Sequence, residues 1–169
     1  MDKMRYEEIG TLQRFFADVE KELLNADNHL PINYPSKARS KWDVDAIASA
    51  NEEILEEVSC AANVYAIFTA PKNSEHFRLR YIGKTTRELA RQRIRNHLIK
   101  KSDRTGAQLV KLKAHVQSGG NVKISWVQIE PETLRGYVEE ELILRHEEAD
   151  WNRENSPRSI QIRKKNMTS

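Results

Sequence analysis

Arg93 and His97 stand four residues apart in the segment RELARQRIRNHL, as do Arg91 and Arg95, so two neighbouring faces of one helix carry cationic or titratable groups. Like charges at that spacing destabilise a helix unless something negative lies opposite. A phosphate would serve, and so would a glutamate from another element. The surroundings extend the pattern. Residues 77–123 hold 13 Lys and Arg against only Glu88 and Asp103, whereas residues 1–60 hold 7 against 13 acidic residues and residues 124–169 hold 7 against 9. The net charge of +3 therefore conceals a basic middle third, the footprint a polyanion site leaves. A solvated basic face would produce the same helix, so the meaning of these cations depends on what else the fold brings to them.

The elements that must position them follow from periodicity. With 169 residues, 38% hydrophobic and 31% charged, the chain can bury one moderate core. Ile9, Leu12, Phe15, Phe16, Val19, Leu23 and Leu24 recur at helical spacing and predict a core-facing helix over 6–24. Residues 28–42, with Pro31 and Pro35 and no period, predict a surface loop. A second helix is expected over 44–58, capped by Asp43 or Ser40, with Ile47, Ile54 and Leu55 inward. NVYAIFTA (63–70) and FRLRYIG (77–83) predict a hairpin, the second strand alternating Phe77, Leu79 and Tyr81 against Arg78, Arg80 and Ile82. After Gly83, Thr85 or Thr86 can cap a helix carrying Leu89, Ala90, Ile94 and Leu98 inward. A helix over 105–117, a third strand over 121–129 and one long helix from Pro131 to Trp151 complete the order. The expected class is α+β. A small mixed or antiparallel three-stranded sheet is flanked by helices, with a helical extension (1–60), a core (61–155) and a basic tail (156–169).

Several classes are set aside at this stage. No run approaches the roughly 18 apolar residues of a membrane span, and MDKMRYEEIG lacks the order of a secretory signal, so a cytoplasmic protein is expected. Cys60, the single cysteine, excludes an internal disulfide and a cysteine-rich zinc site, and reads as a small buried hydrophobe beside Ala61 and Ala62.

Asn63-Val64-Tyr65 in one strand and Tyr81-Ile82-Gly83 in the next resemble the paired signature strands of the GIY-YIG nuclease family, with Asn and Val in place of the first Gly and Ile. The resemblance spans residues 62–155 and orders the rest of the chemistry. It implies that Lys84 follows the second motif, that Arg93 and His97 project from the next helix, that Glu139 binds a divalent metal and that Asn152 follows it. Arg91 competes with Arg93, Glu140 and Glu141 with Glu139, and Asn155 with Asn152. Leu142 and Ile143 set the register that favours Glu139.

Those residue types suit phosphodiester hydrolysis, which needs an activated water, a sink for charge on the phosphoryl oxygens and help for the leaving alkoxide. One glutamate suffices for Mg²⁺, with Mn²⁺ able to substitute, because Mg²⁺ keeps several waters and takes phosphate oxygens as ligands. Arg93 offers a planar fork to two oxygens of one phosphate. The resemblance implies Tyr65 as general base, for which its phenol must fall below an ordinary pKa near 10. His97 would either take the proton from Tyr65 or orient it. Tyr81 and Lys84 would position the water or substrate.

The compact form resembles the type II restriction endonucleases of that family. A restriction enzyme implies double-stranded DNA as substrate, a homodimer on a palindromic site and a separate DNA methyltransferase. Candidates for DNA contact are Lys37, Arg39 and Lys41 in the front end, Arg78, Arg80, Arg87, Arg91 and Arg95 around the signature strand and helix, and Lys100, Lys101, Arg104 and Gln108 beyond it. Two rival readings are a phage or mobile-element nuclease of looser specificity and a catalytically silent DNA-binding domain on the same scaffold.

Overall fold

The computed structural model describes residues 4, 6–100 and 108–153. Lys101, Arg104, Asn155 and the tail 156–169 lie outside the described residues, as does the start of the helix expected over 105–117. The chain forms α1 (Ile9–Leu24), β1 (Leu30–Pro31), α2 (Ser36–Lys41), α3 (Val44–Ser49), α4 (Glu52–Val58), β2 (Val64–Ala70), β3 (Arg78–Lys84), α5 (Ala90–Leu98), α6 (Leu109–Gln117), β4 (Asn121–Val127), α7 (Arg135–Arg145) and α8 (Asp150–Arg153). The class is α+β. The sheet has four strands in the order β1-β4-β2-β3, every pair antiparallel, rather than the three expected. The additional strand is two residues long, Leu30 and Pro31 against Ile124 and Lys123, too short for alternation to betray it. Pro31 is accommodated because β1 is an edge strand and its missing N–H breaks no inner ladder. The stretch expected to be a plain loop also contains α2.

All seven residues of the central strand β2 are buried, and its alternation divides the core in two. Tyr65 and Ile67 face a layer built by α2 to α6, with Trp42, Leu55, Ile94, Leu98 and Leu112. Val64, Ala66 and Phe68 face α1 and α7, with Phe16, Leu23, Val138 and Leu142. The N-terminal helices thus line both faces of the sheet.

Three departures from simple periodicity share one cause, a polar side chain that takes distant backbone or charge as partner. The helix expected over 44–58 divides at Asn51, whose buried amide accepts from the Asn33 N–H (2.8 Å) and donates to the carbonyls of Asn33 (2.7 Å) and Ile47 (2.8 Å). The helix expected from 131 to 151 breaks after Arg145, where the His146 ring joins Glu20 (2.6 Å) and Glu148 (2.9 Å). In β3, Ile67 pairs with Tyr81 but Phe68 pairs with Leu79, which leaves Arg80 as the extra residue of a bulge. Its guanidinium meets Asp150 (3.1 Å) and lies 5.2 Å from the centre of the Trp151 ring. The bulge places Leu79 and Tyr81 on opposite faces of the sheet, against the alternation expected from FRLRYIG. Cys60 is exposed, not buried, in a left-handed turn (φ 58°) just past α4, where the chain reverses toward β2. Among the described residues no helix is long and apolar enough to cross a membrane.

Candidate active site

The bulge at Arg80 is what makes a site possible, because it turns Tyr81 onto the face that already carries Tyr65. The two ring centroids lie 6.2 Å apart. Tyr65 pairs across the ladder with Gly83, and the phenol lies over that glycine. A Cβ there would stand 2.6 Å from Tyr65 Cζ and Oη and 2.7 Å from Tyr81 Cε1. The glycine of the signature is therefore the floor on which both phenols rest.

Helix α5 closes over this face. Its His97 ring packs 4.8 Å from Tyr81 and 5.8 Å from Tyr65, centroid to centroid. The guanidinium of Arg93 stands beside both phenols. Burial pushes the Tyr65 hydroxyl well above its ordinary pKa, the neighbouring Tyr81 adds to the rise, and Arg93 opposes it. Tyr81 is raised by burial in the same way, with Arg93 again opposing and Glu139 reinforcing. Both are protonated phenols in the free protein. His97 is lowered to about 3 by burial and then by Arg93, so the ring is neutral at physiological pH. Its Nδ1 accepts the backbone N–H of Gln108 (3.1 Å), which leaves the ring proton on Nε2. Neither that nitrogen nor the Tyr65 hydroxyl has a hydrogen-bond partner among the described residues, although both are buried. His97 thus carries its ring proton on Nε2, in a ring packed beside both phenols, and offers a donor rather than a proton acceptor there.

Lys84, the last residue of β3, forms an ion pair with Glu139 on α7. Val138 and Leu142 anchor α7 in the second core layer and so fix the position of Glu139 at the end of the signature strand. The carboxylate is mostly buried, its side chain 15% exposed against 43% for Lys84. Among the described residues no group of three or more His, Cys, Asp or Glu side chains converges as a closed cation cage. A lone glutamate is still a fit for Mg²⁺, which takes one or two carboxylates and completes its shell with water and phosphate oxygens.

Asn152 acts on the backbone. Its Oδ1 accepts the Ile82 N–H (2.8 Å) and its Nδ2 donates to the Ile82 carbonyl (2.7 Å), so α8 continues the hydrogen bonding of the edge strand between Tyr81 and Gly83. Asn63 does the same on the other side of β2, exchanging two hydrogen bonds with the Ile129 backbone (2.8 and 2.7 Å).

Five residues to which sequence reasoning gave no such role hold α5 in place. Tyr34 Oη donates to the Leu98 carbonyl (3.0 Å) and Trp42 Nε1 to that of Ile99 (2.9 Å), satisfying carbonyls at the helix end that lack intrahelical partners. Glu132 accepts the Arg87 N–H (2.7 Å) at the other end. Glu52 (2.6 Å) and Glu56 grip Arg91. The acidic run EEILEEV was the available signal, since it supplies the negative partner that the basic helix required.

The same contacts sort the candidates for DNA contact. Arg91 is engaged with Glu52 and Glu56, Arg80 with Asp150 and Arg87 with Glu130 (3.2 Å). Gln108 is buried, so its side chain does not reach outward. Lys37, Lys41, Arg78 and Lys100 are exposed, and Arg39 and Arg95 are half-buried. Comparison with protein-family models, with curated proteins and with solved structures finds no match.

Proposed function

We propose that this protein is a GIY-YIG-type endonuclease that hydrolyses phosphodiester bonds of double-stranded DNA with one divalent cation per site, as a type II restriction enzyme does. A single observation carries the reading. Tyr65, Tyr81 and His97 form a buried cluster with the half-buried Arg93 beside it, drawn from three elements, and the Lys84–Glu139 pair closes it at the strand end. Two tyrosines and a neutral histidine packed together could serve as core, but the half-buried guanidinium of Arg93 beside them sets a positive charge at the edge of the cluster, where an anionic substrate could reach it.

In this reading Arg93 neutralises the scissile phosphate and stabilises charge that grows on its oxygens. Tyr65 accepts the proton of the attacking water only as a phenolate, after its own proton has passed to solvent, and holding that phenolate needs more positive charge beside it than Arg93 alone supplies. A divalent cation on Glu139 would add that charge and polarise a phosphoryl oxygen. His97 donates from Nε2 and steadies a phenolate as it forms. Of the two roles open to His97 from the sequence, orienting Tyr65 fits its fixed tautomer and taking the proton does not. Tyr81 orders the cluster, and Lys84 is placed to reach phosphate. Asn152 keeps the signature strand in position.

Digestion of a mapped plasmid with Mg²⁺ tests the reading. Discrete fragments are expected for a restriction enzyme, a smear for a nuclease of loose specificity, and intact DNA for a silent binding domain. Glu139→Ala should abolish cleavage while DNA retention on a gel persists. Full cleavage by that variant would remove Glu139 from the mechanism.

A further inference from the structure

We propose that Lys84 is a displaceable counter-ion that occupies Glu139 in the free protein, so that a divalent cation binds only as the ammonium leaves. The inference rests on Glu139 being the cation ligand. Lys84 contacts Glu139 Oε2 directly, and its positive charge so close to the carboxylate opposes a divalent cation approaching the same group. The two partners differ in freedom. The Glu139 side chain is 15% exposed on a helix anchored by Val138 and Leu142, whereas Lys84 is 43% exposed at the open end of β3 and can swing its ammonium outward. The carboxylate stays and the lysine moves.

A phosphate would give the departing ammonium a new anionic partner. Cation and DNA would then assist one another through this side chain, and by thermodynamic linkage each would tighten the other by the same factor. The free protein would hold a cation weakly, and full occupancy would come only with DNA in place. An ion pair with one well-exposed member contributes at most about 1 kcal/mol, so its removal changes cation affinity by a factor of roughly five.

The probe is Mn²⁺ alone, titrated into the full chain without DNA and followed by water-proton relaxation, with unfolding midpoints recorded for each variant. Lys84→Met should bind Mn²⁺ about threefold to tenfold more tightly than wild type. Lys84→Gln, which also lacks the charge, should do the same if Lys84→Met folds poorly. Lys84→Arg, which keeps the charge, should match wild type. Glu139→Gln should abolish binding in every background. Unchanged or weaker binding by both neutral Lys84 variants, with Glu139→Gln still failing to bind Mn²⁺, would overturn the counter-ion role and leave the cation site standing. Undiminished binding by Glu139→Gln would instead overturn the cation site on which both readings rest.

Discussion

Replacing Gly83 by alanine adds one methyl group where the structure has no room for it. The new Cβ would lie 2.6 Å from two atoms of Tyr65 and 2.7 Å from one of Tyr81, against an ordinary contact of roughly 3.5 to 4 Å between carbon atoms. Neither ring can swing away, since Tyr65 is 0% and Tyr81 8% exposed and both are packed under α5. Overpacking of this kind costs about 1–3 kcal/mol. Gly83 does not occupy the left-handed region, so alanine also restricts the unfolded chain and returns about 0.4–1 kcal/mol. The net expectation is a loss of about 1–2 kcal/mol, or roughly 2–8 °C in Tm for a chain of this size. Thermal and urea unfolding measure it, and a double-mutant cycle locates it. Tyr65→Phe keeps Cζ and should leave the Gly83→Ala penalty nearly intact, whereas Tyr65→Leu ends short of Cζ and should relieve much of it. A Gly83→Ala protein as stable as wild type, or equal penalties in the Phe and Leu backgrounds, would refute the claim that Tyr65 rests on this glycine.

Three further outcomes follow from the same geometry. Because His97 titrates at about 3 in the folded chain against 6.5 ordinarily, its contribution is fully present above pH 6.5 and is lost as pH falls toward 3. By pH 5 the loss is roughly 2 kcal/mol, which urea unfolding at pH 7 and pH 5 should detect in wild type and not in His97→Gln; equal pH dependence in the two would disprove it. Asn152→Ala should destabilise by about 1–3 kcal/mol and speed hydrogen exchange at the Ile82 amide. Asn152→Asp should be no better, since it sets a carboxylate against the Ile82 carbonyl, and wild-type exchange in either variant would contradict the pairing. Arg91→Ala should lose less than about 1.5 kcal/mol, mostly screened away in about 0.5 M salt, and should still cleave DNA. Arg93→Ala should not cleave, and a reversed pair of results in plasmid nicking would exchange their roles.

Part of the candidate site was legible in the chain from local rules, and part only through a resemblance. Four-residue spacing set Arg93 and His97 on adjoining turns of α5 and a β-branched run bounded by Pro71 marked β2, whereas Tyr65, Tyr81 and Glu139 were singled out by the resemblance to the GIY-YIG strands, with Leu142 and Ile143 fixing the register of Glu139. The α+β order was legible from local rules, since period 2 and period 3.6 are properties of neighbouring residues. What the sequence could not reveal depends on partners tens of residues away. Alternation put Tyr81 with Leu79, and only the bulge at Arg80, held by Asp150 and Trp151, turns that phenol toward Tyr65. The proton state of His97 depends on the Gln108 N–H and on burial, and the division of the basic helix depends on Glu52 and Glu56 taking Arg91. The sequence alone determined which groups lie along each element. The tertiary structure decided which face each group meets and which charges are already paired, because burial and ion pairing are properties of the assembled fold.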